Sequence, residues 1–504
     1  MSIHSRKENS VRNAMYGLFV TFLNVIVSFV NRTFLVKYLG VELLGINGLF
    51  TEVIAMMSLA ELGVGMAIIY SLYKPIHVND YKKINQLMSM FRSTYNLIAL
   101  VIFALGIAVL PFIQLIVNGT DVSVGYIRFV FFLFVINSAS SYLFSYNTSF
   151  INANQKQYVV SLSTTVGKVL FTGINILLLY LFESYILYLS LLIVQTLCTN
   201  VYLAIYVKKK YPFITYDDRL PSEEKKSIFQ DIKHIFIKRV SGVLTSSSTN
   251  ILISLFVNTV QVGLYSNYVM IFSFIRTLKT QFSNAVKAGI GDLSVSEEHA
   301  KCISVLRQLT FMFFMFAIVV CTCLLYAVSD FIYLWIGPEY IMATQVIAVA
   351  IFNLFLELFS EPLWQYLEVS GLFKQDKYIA IIGSTLNLLT ALILGHFIGI
   401  IGIFLGTIVS QIVQMFLKTR LLFKYKYEQS CLGFLFMQLK MLLAFVVCSM
   451  IMFFLSKALI FDNIYVGIIL KIFIAFIISI LVGICMFAGS QEERDSIKFV
   501  RNLL

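Results

Sequence analysis

Long apolar stretches recur along the whole of this chain and restrict its fold more than any other feature. A stretch of about 20 apolar residues can cross the hydrocarbon core of a bilayer as a helix. Fourteen such stretches can be counted, at approximately 14–38, 44–70, 95–117, 126–146, 158–182, 185–207, 238–260, 264–287, 306–328, 343–366, 378–397, 401–422, 440–461 and 464–487. A transmembrane barrel would instead show alternating segments of about 10 residues. The sequence therefore predicts an all-α polytopic membrane protein of about 14 transmembrane helices.

The placement of the few charged residues predicts the topology. Charged residues make up 13% of the chain, about half of their share in soluble domains. If the N-terminus lies inside, 30 of the 38 Lys and Arg residues fall in inside segments, as the positive-inside rule requires. We therefore predict a multi-pass protein with both termini in the cytoplasm. The net charge of +12 follows from this topology, so we predict the lipid bilayer as a partner and no nucleic acid.

Patterns typical of enzymes and metal sites are missing from the sequence. The predicted outer loops have at most roughly fifteen residues, which leaves no room for an outer catalytic domain. The seven cysteines lack the spacing of metal or redox sites. A glycine-rich nucleotide-binding loop is also missing, which argues against direct ATP drive. The sequence favours a secondary transporter, with no metal or cofactor, over an enzyme.

The sequence repeats weakly in its second half. A shift of 218 residues places Gly45 on Gly263, and a shift of 220 places Gln155 on Gln375. Parallel repeats of six spans each are typical of transporters that work by alternating access. We therefore predict an N-lobe at 1–207, a cytosolic linker at 208–237, a C-lobe at 238–425, and two additional spans with a cytosolic tail at 426–504. The mixed charges of the linker predict that it is exposed.

Three charged residues lie inside the first two apolar stretches, namely Arg32, Glu52 and Glu61. A charge at the bilayer centre costs about 2.5–3.5 kcal/mol, so it normally faces protein or a water-filled cavity. A structural ion pair between helices is the alternative for each residue. Arg32 and Glu52 lie at similar predicted depths, and we predict that they form a gating or structural pair.

Glu61 is the cavity residue that we favour in this region. Nine residues separate it from Glu52, which corresponds to about 180° around a straight helix. Either the second span bends near Gly63 and Gly65, or one glutamate serves helix packing. The repeat places Glu61 opposite Lys279, so we predict that these two face each other across a cavity.

Span ten carries a second pair of acidic residues, Glu357 and Glu361, four residues apart on one helical face. Two carboxylates in a low dielectric repel each other unless one is protonated or a cation lies between them. We therefore predict an ion-coupling site for H⁺ or Na⁺. Capping of both by neighbouring polar groups is the alternative. Lys168 and Lys471 are single intramembrane charges, and we interpret Lys471 as snorkelling or structural.

Several segments resemble bacterial polysaccharide-transporter proteins, the O-antigen and capsule-type flippases of lipid-linked oligosaccharides. They are RTFLVKYLGVELLGINGLF, SLAELGVGMAIIYSLYKPI and NDYKKINQLM, followed by SYNTSFINANQKQY at the start of span five. The resemblance implies the fold of multidrug and toxic compound extrusion transporters and lipid II flippases, with two six-helix lobes in a V around a central cavity. It covers most of the first half and extends to the second half mainly through topology.

The resemblance also implies a function. Its members move an undecaprenyl-diphosphate-linked oligosaccharide from the inner to the outer leaflet of the bacterial plasma membrane, driven by an ion gradient. A polysaccharide polymerase and chain-length machinery are the expected partners. An ion-coupled multidrug exporter of the same fold is the alternative. A membrane enzyme such as a polymerase or ligase is less favoured, because the outer loops are short.

A diphosphate headgroup requires cationic partners, and Arg offers bidentate contacts. The predicted substrate-binding residues are Arg276, Lys279, Arg32, Glu61 and Asn250. The four facing spans hold three cations (Arg32, Arg276 and Lys279) and two anions. The sequence therefore does not predict a strongly cationic cavity.

Overall fold

The structure is a computed structural model that describes residues 3–61, 64–226, 228, 248–295, 299–458, 463–490 and 494. The regular structure of these residues is helical, with no β-strand among them. The helices of the first half are α1 (Ile3–Met57), α2 (Val64–Val78), α3 (Tyr81–Val109), α4 (Val124–Tyr142), α5 (Ser145–Ala153), α6 (Gln157–Phe182) and α7 (Tyr185–Lys210). Those of the second half are α8 (Thr259–Val295), α9 (His299–Ile336), α10 (Thr344–Phe359), α11 (Glu361–Val369), α12 (Phe373–Leu422), α13 (Leu432–Ala458) and α14 (Ile464–Phe487).

Ten helices in the described part of the chain are long and apolar enough to cross a membrane. Two of these helices are kinked inside, α1 at Gly40 and α12 at Ile398 and Gly399. Gly40 has a φ of 73°, a left-handed value that glycine adopts without steric cost. Each kinked helix covers two of the predicted spans, so the ten helices account for 12 of the 14 predicted spans. The helical residues 248–256 and helix α8 fall in the other two, spans seven and eight. The predicted all-α polytopic fold is confirmed.

The second predicted span is interrupted. Helix α1 ends at Met57, a 3₁₀ turn follows at Ser58–Glu61, and α2 begins at Val64. The span is therefore not a straight helix, which is the first of the two alternatives for Glu52 and Glu61. Residues 238–247 of predicted span seven lie outside the described residues, and residues 248–256 are helical.

The chain divides into two compact units, Met1–Gly263 and Leu264–Leu504. The predicted lobe limits differ, because they placed 238–263 in the C-lobe. Two hydrogen bonds hold this segment to the first unit. The Ser254 hydroxyl donates to the Ile116 carbonyl at 2.7 Å, and the Thr259 amide donates to the Asn118 carbonyl at 2.8 Å.

The two glycines that the internal repeat aligns lie in contact within the first unit. A Cβ added at Gly45 would collide with the Thr259 carbonyl, and one added at Gly263 would lie 2.9 Å from the Gly45 nitrogen. Only glycine permits backbones to approach this closely. The two positions that the repeat aligns are therefore in direct contact.

The first residues of the predicted linker pack against the first unit. The Asn85 side chain donates to the Phe213 carbonyl at 2.7 Å and accepts from the Thr215 amide at 3.0 Å. Ile214 is 7% exposed and belongs to a core formed with α2, α3 and α5. Against the expectation of an exposed linker, Ile214 is therefore buried and Tyr211, Phe213 and Tyr216 are half-buried, whereas Pro212 and Thr215 are exposed. Residues 229–237 lie outside the described residues.

A buried ion pair fixes the second half of α12 in the second unit. Lys418 donates to Asp376 at 2.5 Å, and these side chains are 1% and 11% exposed. The Lys418 ammonium also lies 3.4 Å from the ring centroid of Trp364. Removing one member of a buried pair leaves an uncompensated charge, which costs about 3–5 kcal/mol.

We expect Lys418→Met to lower the free energy of unfolding by about 3–5 kcal/mol. Heating the purified protein in detergent and following the folded fraction measures this change. Lys424→Met is the matched control, because Lys424 is exposed one to two turns further along the chain. The double variant K418M/D376L should recover much of the loss, because it removes both charges. A K418M protein as stable as the control would contradict a structural role for this pair.

Candidate functional site

Four charged residues predicted from the sequence meet in the second unit. Arg276 and Lys279 lie on α8, three residues apart and on one face of that helix. Glu357 lies in the last turn of α10, and Glu361 begins α11. The chain is continuous but not straight between these two helices. Ser360 separates them, and Pro362 lies in the first turn of α11. The sequence treated them as two sites, and the structure assembles them into one.

Lys279 lies between the two carboxylates. Its ammonium is 3.1 Å from Glu357 Oε1 and 3.0 Å from Glu361 Oε2. Arg276 donates from Nε to Glu357 Oε2 at 2.9 Å. The carboxylate pair therefore does hold a cation, as the repulsion argument required, and that cation is a lysine of the same unit. We refer to these four residues as the charge cluster.

Polar groups continue the charge cluster along the same helices. The Ser283 hydroxyl donates to Glu361 Oε1 at 2.8 Å, and the Gln365 amide contacts the Ser283 hydroxyl. Sequence reasoning missed both residues. The spacing could have identified them. Ser283 lies four residues after Lys279, and Gln365 lies four residues after Glu361. Each therefore shares a helix face with a predicted residue.

A cavity of about 210 Å³ borders the charge cluster in the second unit. It is lined by Lys279, Leu356, Glu357, Ser360, Glu361, Trp364, Gln411 and Met415. The side chains of Lys279, Glu361 and Glu357 are 13%, 20% and 29% exposed, so a ligand can reach them. The cluster itself is neutral, with two cations and two anions. An anionic ligand can therefore bind its cations strongly only if the carboxylates are displaced or neutralised.

Glu61 lies in a different setting, in the first unit at the interruption of the second span. Its carboxylate interacts with the hydroxyls of Tyr95 in α3 and Tyr142 in α4. Gly65 lies beside this group, and a Cβ there would be 3.2 Å from the Tyr95 hydroxyl. The structure thus places Glu61 among tyrosine hydroxyls, and its predicted relation to Lys279 in the other unit stays a prediction.

The remaining predicted residues lie in the first unit. Arg32 interacts electrostatically with Tyr185 and Tyr188 of α7. Asn250 is buried, at 8% exposure. Glu52 lies on α1 beyond the kink at Gly40. The proposed pairing of Arg32 with Glu52 stays a prediction.

Lys471, which the sequence analysis interpreted as structural, forms an ion pair in the second unit. Its ammonium lies 2.5 Å from Asp330 Oδ2, which joins α14 to α9. This contact gives the intramembrane lysine a counter-charge within the protein. Among the described residues there is also no group of three or more His, Cys, Asp or Glu that could hold a metal ion.

The fold resembles that of solved transporters. A lipid II flippase MurJ in an inward closed conformation matches with a TM-score of 0.67 and 16% identity, over 96% of this chain and 100% of that chain. An inward-facing multidrug resistance MATE family transporter of the MOP superfamily matches with a TM-score of 0.64 and 16% identity, over 81% and 96%. A mutant form of the MATE transporter VcmN of Vibrio cholerae matches at 0.56 and 15%, over 85% and 99%. At these identities the likeness establishes the fold that the sequence predicted.

The sequence itself identifies the family. No curated protein sequence matches the chain. The sequence profile described as polysaccharide biosynthesis protein matches residues 10–286, which is more than half of the chain. The solved structures that share the fold are a flippase and transporters. The chain is therefore a multi-pass membrane protein that belongs to the polysaccharide biosynthesis protein family.

Proposed function

We propose that this protein flips an undecaprenyl-diphosphate-linked oligosaccharide from the inner to the outer leaflet of the bacterial plasma membrane by alternating access. Both termini lie in the cytoplasm, and the product serves surface polysaccharide export. A polysaccharide polymerase and chain-length machinery are the partners that would use it. The observation that carries the proposal is the pair of cations, Arg276 and Lys279, beside a cavity in a chain of this family.

The charge cluster supplies a physical mechanism for handling a diphosphate. Arg276 offers planar, bidentate donors, and Lys279 offers a compact charge three residues away. Before substrate binds, both cations are neutralised by Glu357 and Glu361 at 2.9–3.1 Å. A diphosphate reaching the cavity competes with these carboxylates for the same donors. Binding is therefore an exchange of anions around two fixed cations.

The exchange of anions also supplies a mechanism of ion coupling. Once the diphosphate displaces Glu357 and Glu361, two adjacent carboxylates lose their counter-charges in a low dielectric, where they repel each other. Uptake of H⁺ or Na⁺ at this pair relieves the repulsion. Loss of the ion lets the carboxylates return to Arg276 and Lys279, which releases the substrate. The cluster thus couples binding of the substrate to binding of the ion.

Deletion of the gene in its native host tests the proposed function. We expect loss of surface polysaccharide, restored by a plasmid copy, with unchanged sensitivity to cationic drugs. Immunoblotting or sugar analysis of the cell surface measures the first, and growth inhibition measures the second. Drug sensitivity with normal surface polysaccharide would overturn the flippase assignment in favour of a multidrug exporter of this fold.

A further inference from the structure

Lys168 lies close to the middle of α6 (Gln157–Phe182), in the first unit. Helix α6 has 26 residues, about 39 Å at a rise of 1.5 Å per residue, so it spans the bilayer with Lys168 near the centre. A charged side chain at this depth is costly unless a partner compensates it. The proposed mechanism in the charge cluster does not use this residue.

The partners of Lys168 are neutral. Its ammonium donates to the Ser28 hydroxyl at 2.7 Å and lies 3.5 Å from the Asn24 carbonyl. No described carboxylate lies within ion-pair distance of it. Among the described residues of the second unit, by contrast, cations that contact a carboxylate include Arg276, Lys279, Lys287, Lys418 and Lys471. Lys168 therefore differs from those cations in carrying a charge that the described protein leaves uncompensated.

A polar seam between α1 and α6 surrounds Lys168. The Asn24 amide donates to the Thr165 hydroxyl at 2.9 Å, one turn before the contact of Ser28 with Lys168. Two turns beyond Lys168, Asn175 is 1% exposed and its Oδ1 has no hydrogen-bond partner. Unsatisfied buried oxygens are rare in proteins. This seam therefore offers a hydrogen-bond acceptor that its own contacts do not use.

A second cation lies one turn along the same face. Arg32 follows Ser28 by four residues on α1, which places it on the same side of that helix and about 6 Å further along the axis. Its guanidinium interacts electrostatically with Tyr188. The Tyr188 hydroxyl accepts a hydrogen bond from the Asn31 amide at 2.9 Å. Arg32 therefore lies on the same side of α1 as the contact with Lys168, where it can bind a second phosphate of the same ligand.

We infer that Lys168 is an anion-binding residue of the first unit that contacts the diphosphate of a polyprenyl-linked substrate, with Arg32 binding the second phosphate. Ser28 orients the ammonium, and the diphosphate supplies the counter-charge that the described residues do not. The inference rests on the proposed function, since it names a second binding position for the same substrate. It adds a cation that is not neutralised by protein carboxylates, in contrast to the charge cluster.

Binding of undecaprenyl diphosphate to the purified full-length protein in detergent, followed by native mass spectrometry, tests the inference. We expect Lys168→Met to weaken binding about tenfold or more, and Lys168→Arg to retain it. Thr164→Ala is the matched control, because Thr164 is an exposed α6 residue whose hydroxyl bonds only to its own helix. Undecaprenol, which lacks the phosphates, should bind equally to all four proteins.

Further measurements separate the outcomes. If wild type binds inorganic pyrophosphate as tightly as undecaprenyl diphosphate, and K168M loses the binding of pyrophosphate, the site is a free-phosphate site and the lipid assignment is overturned. Equal binding of undecaprenyl diphosphate to wild type and K168M would overturn the role of Lys168. If K168M does not fold, Ser28→Ala keeps the charge and removes its anchor, and unchanged binding by that variant would count against the inference.

These outcomes are distinguishable from failure of the proposed function. That function fails if the deletion strain keeps its surface polysaccharide, whatever K168M binds. The inference fails alone if export requires the protein and wild type and K168M bind undecaprenyl diphosphate equally.

Discussion

Replacing both Arg276 and Lys279 by alanine is expected to abolish surface polysaccharide export while protein levels stay normal. These residues supply the donors that a diphosphate requires, and they lie beside the cavity of the second unit. Truncating one partner of a desolvated charge pair costs about 2–5 kcal/mol, so affinity for undecaprenyl diphosphate should fall about 30-fold or more. Complementation of the deletion strain measures export, and immunoblotting of membranes measures protein.

Lys287→Ala is the matched control for this prediction. Lys287 lies on the same helix and pairs with Glu368 at 3.1 Å, but both side chains are about half exposed, at 46% and 48%. Exposed pairs contribute about 0–1 kcal/mol, so export should remain near wild type.

A further variant separates binding from folding. The double alanine variant leaves Glu357 and Glu361 without counter-charges, so a loss of stability is the competing explanation for lost export. The variant R276Q/K279Q/E357Q/E361Q removes all four charges and should fold but not export. Retained export in either the double or the quadruple variant would remove the charge cluster from the mechanism.

The sequence predicted the four members of the charge cluster but not their assembly. Arg276 and Lys279 were identified as intramembrane cations, and Glu357 and Glu361 as a pair on one helical face. Spacing along a chain reveals neighbours within a helix, three or four residues apart. The contacts of Lys279 with Glu357 and Glu361 join residues 78 and 82 positions apart. They depend on how α8 packs against α10 and α11, which the spacing does not contain.

Glu61 also shows that spacing along the chain predicts local structure but not contacts between distant helices. The orientation argument left two outcomes open, a bend in the second span or a glutamate used in helix packing, and the structure shows the span interrupted at Ser58–Glu61. The partners of Glu61 were not predictable in this way, since Tyr95 and Tyr142 come from α3 and α4. The contact of Gly45 with Gly263 is the exception. The internal repeat aligned these two distant positions. Positions related by such a repeat can lie close together in the structure.

The linker was mispredicted for a related reason. Its charges suggested that it is exposed to solvent. Composition predicts exposure reliably only for a segment that does not pack against a specific part of the protein. Residues 211–216 carry aromatic and aliphatic side chains that fill a space on the first unit, and Asn85 satisfies their backbone at two points. Burial of a few apolar side chains and two hydrogen bonds outweighed the solvation of the neighbouring charges.

The second large effect is expected from Glu357→Gln combined with Glu361→Gln. Glutamine keeps the shape of the side chain and removes the charge that competes with phosphate for Arg276 and Lys279. We expect affinity for undecaprenyl diphosphate to rise about tenfold, which corresponds to about 1.4 kcal/mol. Transport should nevertheless fall, because the carboxylates that displace the substrate and carry H⁺ or Na⁺ are gone.

Vesicles with imposed H⁺ or Na⁺ gradients test this second prediction. The variant should bind substrate more tightly, translocate it slowly, and respond to neither gradient. Glu368→Gln is the control, because Glu368 is about half exposed and pairs with Lys287 outside the charge cluster. If the E357Q/E361Q protein keeps a wild-type response to the gradients, then Glu357 and Glu361 are not the coupling site. If its affinity for the lipid falls instead of rising, the carboxylates assist binding and do not compete with it, and the anion exchange at Lys279 is excluded.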